Sequence, residues 1–79
     1  MLLLTGCGAD NYARKAEEYY AIGEYFDAAE EFKKAYSHTP VKEKVKRGER
    51  AWKMAESYRF IGYSAKAAGA YQNAVRYKT

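Results

Sequence analysis

The polar and apolar positions of this chain fall into four helical stretches separated by breaks at glycine or proline. From about Asn11 to Ile22, Tyr12, Ala16 and Tyr19, flanked by Ala13 and Tyr20, recur at three- and four-residue spacing and share one side of a helix. Gly23 predicts its end, because glycine enters the left-handed conformation of a helix C-terminus without a Cβ penalty. A second helix is predicted from about Tyr25 to Ser37, with Ala28, Phe32 and Ala35 turned inward. Thr39-Pro40 reads as the start of a third, with Thr39 as N-cap and Pro40 at the first helical position. That helix is predicted to run to about Ile61, with Val41, Val45, Gly48, Trp52 and Ala55 along its inner stripe. Gly62 ends it, Ser64 is the expected cap of the fourth helix, and Ala67, Tyr71 and Ala74 form the last inward face.

Shifted on itself by 39 residues, the chain matches position by position. Ala16 meets Ala55, Tyr19 meets Tyr58, Ile22-Gly23 meets Ile61-Gly62, and Ala28-Ala29 meets Ala67-Ala68. Phe32 then meets Tyr71, and Ala35 meets Ala74. Small residues fall on small ones and large aromatics on aromatics. The expected fold is all-α, with two helical hairpins in series.

This spacing resembles the tetratricopeptide repeat. The first unit answers the repeat's pattern with Ala16, Tyr19, Gly23, Tyr25, Ala28, Phe32, Ala35 and Pro40, and the second with Ala55, Tyr58, Gly62, Ala67, Tyr71 and Ala74. The resemblance covers about residues 9 to 79 and implies a short right-handed solenoid of two units, 10–40 and 41–79. Two departures stand out. The period of 39 exceeds the repeat's usual length of about 34, which predicts an extra turn at the start of the third helix. The early Trp and Leu of the pattern are replaced by Tyr12 and Lys15 in the first unit and by Ala51 and Met54 in the second. In this family the first helix of each hairpin lines a concave surface that touches a protein or peptide partner. Carried over by position, that nominates Glu17 and Tyr20 from the first unit and Trp52, Glu56, Arg59 and Phe60 from the second. Tyr20, Trp52 and Phe60 serve equally well as inter-repeat core, whereas the charged Glu56 and Arg59 must meet water or a partner.

Residues 1–9 differ from everything that follows. They are small or apolar, without charge and without helical period. Leu4-Thr5-Gly6-Cys7 resembles the lipobox of bacterial lipoproteins, in which the Cys thiol receives the lipid. The resemblance implies lipidation of Cys7, and Gly8 after it favours the outer membrane. Only Leu2, Leu3 and Leu4 precede the box, with no Lys or Arg, short of the basic and apolar leader such a signal needs. A lipobox followed by Tyr- and Ala-rich repeats, including Ala28-Ala29-Glu30-Glu31-Phe32-Lys33-Lys34-Ala35, resembles the start of OmpA-family envelope lipoproteins of Bacteroidetes. Some of these serve type IX secretion and gliding.

Charge and composition narrow the chemistry. Residues 1–40 hold seven acids and four bases, a net −3, and residues 41–79 hold three acids and ten bases, a net +7. The basic run Lys42, Lys44, Lys46, Arg47, Arg50 and Lys53 raises nucleic acid as a partner, but Glu43 and Glu49 interrupt it and helical spacing spreads it around the polar sides. One Cys and one His support neither a disulfide nor a zinc site. His38 beside Pro40 reads as a surface or C-terminal capping residue, and Glu30 with Lys33 and Lys34 as surface pairs of small energy. No catalytic residues, metal or cofactor are expected. The reading is a non-catalytic scaffold for protein contacts, lipid-anchored at the periplasmic face of the outer membrane, the first module of a larger envelope lipoprotein. Its rival is a soluble cytoplasmic two-repeat adaptor. Ala68, Tyr71, Val75 and Tyr77 keep the fourth helix apolar to the end, which predicts either a further repeat or self-association through that helix.

Overall fold

A computed structural model describes residues 7–77. They form four α-helices, α1 (Cys7–Ala21), α2 (Tyr25–His38), α3 (Lys44–Phe60) and α4 (Ser64–Arg76). The all-α reading holds. Leu4-Thr5-Gly6, the part of the lipobox-like segment before Cys7, lies outside the described residues. Helix α1 opens at Cys7, four residues before the predicted start, and Ala9 is buried while Asp10 reaches Arg50 of α3.

Extensive contacts run in succession, α1 with α2, α2 with α3 and α3 with α4. The result is a slab of 40 × 30 × 15 Å, not a closed bundle. Both hairpins turn in the same way. Gly23 (φ 82°) and Gly62 (φ 80°) take the left-handed conformation. Glu24 N–H and Tyr63 N–H then each reach back 2.9 Å to the carbonyls of Tyr19 and Tyr58. This is the Schellman closure, and it returns the chain antiparallel after three residues. The 39-residue shift therefore relates the turns as well as the side chains.

The core is built mainly from alanine. Ala16, Ala28, Ala29, Ala35, Ala51 and Ala55 are fully buried, and Ala67, Ala70 and Ala74 nearly so. Side chains this small let helix axes come close, and the larger Phe32, Met54 and Tyr58 fill what remains between α1, α2 and α3. Phe32 is the largest side chain that is completely enclosed.

Several sequence expectations change. Thr39 and Pro40 do not start α3. Thr39 ends α2 with extended backbone, as a residue before proline prefers, and its buried hydroxyl donates back to Ala35 O at 2.6 Å. Pro40 opens a turn in which Glu43 N–H reaches its carbonyl, so the added residues of the long period lie in that turn and not in an extra helical turn at the head of α3. The inner stripe of α3 is Ala51, Met54, Ala55, Ser57 and Tyr58, while Val41, Val45 and Trp52 face outward. Trp52 is too large for the close crossing that Ala51 and Ala55 permit. Ser64 is the first residue of α4 and caps nothing; Tyr63 occupies the N-cap without a side-chain bond. Tyr71, the counterpart of Phe32, is only half-buried. Glu31, not Glu30, pairs with Lys34, at 3.3 Å, because Glu30 accepts from the Tyr58 hydroxyl of α3. His38 does cap α2, with Nδ1 2.8 Å from Lys34 O.

This asymmetry makes a prediction. Phe32→Ala opens a cavity and should cost about 3–5 kcal/mol, a large part of the stability of so small a domain. Tyr71→Ala should cost clearly less. Thermal or urea unfolding of the two variants checks the order, and equal losses would show that the two positions are equally enclosed.

Candidate functional site

The six nominated residues lie on α1 and α3, and the structure divides them into two groups. The first occupies the seam between the hairpins. Lys53 Nζ lies 3.3 Å from Glu17 Oε1 and 4.7 Å from the centre of the Tyr20 ring. Tyr20 packs edge-on against Tyr25 and Phe32, at 5.4 and 6.3 Å, and faces Phe60 at 6.2 Å. Phe60 also leans on Tyr25 at 4.6 Å while half its surface stays open. Tyr20 is thus part of the packing between hairpins, and Glu17 is occupied by Lys53.

The second group lies where α3 meets α4. Arg59 Nη2 donates to Glu56 Oε1 at 2.8 Å, Arg59 Nε donates to the Tyr71 hydroxyl oxygen at 3.1 Å, and that hydroxyl donates to Glu56 Oε2. The triangle closes on itself. Glu56 and Arg59 are therefore bonded to each other and to Tyr71, while Arg59 stays more than half exposed to solvent, as the sequence reading allowed. Hydrogen bonds from Arg59 and then Tyr71 hold the Glu56 carboxyl below its ordinary pKa. Trp52 stands beside the triangle with its ring edge-on to Tyr71 at 4.9 Å, and it is 51% exposed.

Around Trp52 runs an open groove of about 760 Å³. Val45 and Val75, 68% and 66% exposed, extend its apolar wall, and Glu17, Glu49 and Lys53 give it a polar edge. Val45 escapes the sequence reading because it fits a helical stripe as well as a surface one. Lys53 escapes it because its partner Glu17 is 36 residues away, and no local pattern links them. Lys53 belongs to the basic run, most of which is similarly occupied. Arg47 Nη1 donates to the carbonyls of Tyr36 and Thr39 at 3.2 and 2.7 Å, while its guanidinium lies over the Tyr36 and Tyr77 rings. Arg50 donates to Thr39 Oγ1 at 2.6 Å and to Asp10 at 2.9 Å, and Lys46 lies between Asp10 and Glu43. The Arg50 bond lowers the Asp10 pKa.

The groove can receive apolar and aromatic side chains. Among the described residues, no group of three or more His, Cys, Asp or Glu is placed to hold a metal ion, and no helix is long and apolar enough to cross a membrane. No protein-family signature, curated protein or solved structure matches the chain.

The lowered carboxyl pKa values of Asp10 and Glu56 predict acid lability. A carboxyl depressed in the folded state contributes stability above its unfolded pKa, and the contribution is lost as pH falls through the folded value. Melting temperature should therefore drop below about pH 4, near the ordinary carboxyl range. Asp10→Asn with Glu56→Gln should flatten that drop and lower stability at pH 7. An unchanged acid limb in the double variant would show that these two pairs do not couple to folding.

Proposed function

We propose that the chain is a non-catalytic scaffold for protein–protein contacts, built as two tetratricopeptide repeats in a short right-handed solenoid. In this reading Cys7 carries lipid, the domain sits at the periplasmic face of a bacterial outer membrane, and it forms the first module of a larger envelope lipoprotein. One observation carries the binding part. A half-exposed Trp52, flanked by exposed Val45 and Val75, lines an open groove whose Lys53 and Glu17 are already paired with each other. Exposed tryptophan is costly to leave in water, and it is the residue type most enriched where partners bind tightly. The repeat spacing and the two identical glycine turns support the family assignment. The Leu4-Thr5-Gly6-Cys7 sequence supports the anchor. A single acyl chain binds membranes only marginally, so stable attachment requires the several chains that lipoprotein processing adds. The partner is a protein or peptide of the cell envelope, and no nucleic acid or cofactor takes part.

Two measurements test this reading. Expressed from its native gene, the protein should incorporate labelled fatty acid, and Cys7→Ser should abolish the label; equal labelling of the variant would sink the anchor. Trp52→Ala should weaken capture of the envelope partner by roughly 30-fold or more, the loss of a tight-binding hot spot, while melting temperature stays within a few degrees. Undiminished capture would move the binding site away from the groove.

A further inference from the structure

The internal repeat identifies both a docking face and the helix that fits it. The first hairpin holds α3 with a specific set of groups. Asp10 takes Arg50, Glu17 takes Lys53, and Ala29 and Phe32 lie in one apolar cluster with Met54 and Tyr58 of α3. Thirty-nine residues on, the second hairpin carries Glu49, Glu56, Ala68 and Tyr71 at those positions, with Val75 in place of Tyr36. Both acids are retained, and the apolar positions stay apolar. Nothing among the described residues covers this face: Ala68 and Val75 are exposed, and Tyr71 is half-buried where Phe32 is enclosed.

The counterpart of α3 is α1, and its outer side is also open. Arg14 stands at the position of Lys53, Asn11 at that of Arg50, Tyr19 at that of Tyr58 and Ile22 at that of Ile61. Ile22 is 72% exposed, whereas Ile61 packs against the core. We propose that the chain stacks head to tail in solution, the outer side of α1 of one copy seating on the α3–α4 face of another. Arg14 then approaches Glu56 at the position where Lys53 meets Glu17, adding to the Arg59 and Tyr71 bonds that Glu56 already accepts, and Asn11 meets Glu49 as Arg50 meets Asp10. The charges of the two faces favour the same order, since Arg14 of one copy meets the acidic positions Glu49 and Glu56 of the next. Gly8, Tyr12 and Lys15 replace Arg47, Ala51 and Met54, so the contact between copies is looser than the seam within one chain. Such a contact is heterologous and does not close on itself. The inference concerns the isolated chain and stands apart from the scaffold reading, which survives if it fails.

The test uses two exposed positions, one on each face. Sedimentation of the parent chain should show mass rising with concentration over about a hundredfold range, a weak association. The emission of Trp52, the single tryptophan, should shift to the blue in parallel. Ile22→Glu and Val75→Glu should each remain monomeric at the highest concentration. Mixed in equal amounts they should form dimers and stop there, because each keeps one intact face. An Ile22→Glu chain that still associates would overturn the proposal in favour of a symmetric α4–α4 contact, and a mixture or a parent chain that stays monomeric throughout would overturn it outright. Circular dichroism monitors folding. Should Ile22→Glu lower helicity, Arg14→Glu replaces it with the same expectation, and unchanged association of that variant counts against the proposal.

Discussion

Close approach of helix backbones at alanine is the constraint on which the rest of this structure depends. Ala16, Ala28, Ala29, Ala35, Ala51 and Ala55 have no exposed surface, and Ala16, Ala28, Ala29 and Ala55 share one buried cluster drawn from α1, α2 and α3. A larger side chain at any of them would push helices apart, and an interior at crystal-like density has no slack to absorb it. With the crossings set by methyl groups, the space left over is small and well defined. Phe32, Met54 and Tyr58 occupy it. Tyr58 brings a polar atom into that interior, and the bond to Glu30 satisfies it; burial, with Glu30 nearby, pushes the phenol up to about 12. The same crossings exclude Trp52 from the core and turn it toward the groove.

Charge does a different job. Three basic residues of α3 are spent on the first hairpin: Arg47 on the end of α2, Arg50 on Thr39 and Asp10, Lys53 on Glu17 and Tyr20. Exposed pairs of this kind contribute little each. Their value here is geometric. They link α3 to groups on both α1 and α2, at one register of the second hairpin against the first. A run that reads in isolation as a polyanion-binding stripe is, in the fold, the seam of the molecule.

The two hairpins share a backbone plan but not an environment. Phe32 is enclosed in the core, whereas its counterpart Tyr71 packs against the core from one side, has Trp52 edge-on beside it, and turns its hydroxyl to Glu56 and Arg59. The second hairpin therefore ends in a face that has apolar and acidic groups in the places where the first hairpin uses them to hold a helix. The candidate groove and the proposed stacking face both arise from this one inequality.

The sequence by itself determined the class of fold, the number of helices, the repeat of 39 residues and both glycine turns. Those features are local: spacing along a helix and the left-handed freedom of Gly23 and Gly62 act within a few residues. It also marked the alanine positions, since small residues at helical spacing have few other uses. Tertiary structure decided the rest. Whether Thr39 looks forward as a cap or backward to Ala35 depended on Arg50 arriving from α3. Whether Trp52 or Ala51 faces inward depended on how closely α3 crosses its neighbours, because two stripes one residue apart both satisfy helical periodicity. The pairing of Glu17 with Lys53 and the closed triangle of Glu56, Arg59 and Tyr71 depended on groups brought together only when helices assemble. Contacts between residues far apart in the chain leave no periodic trace in it, and those contacts are what separate the groove residues from the core.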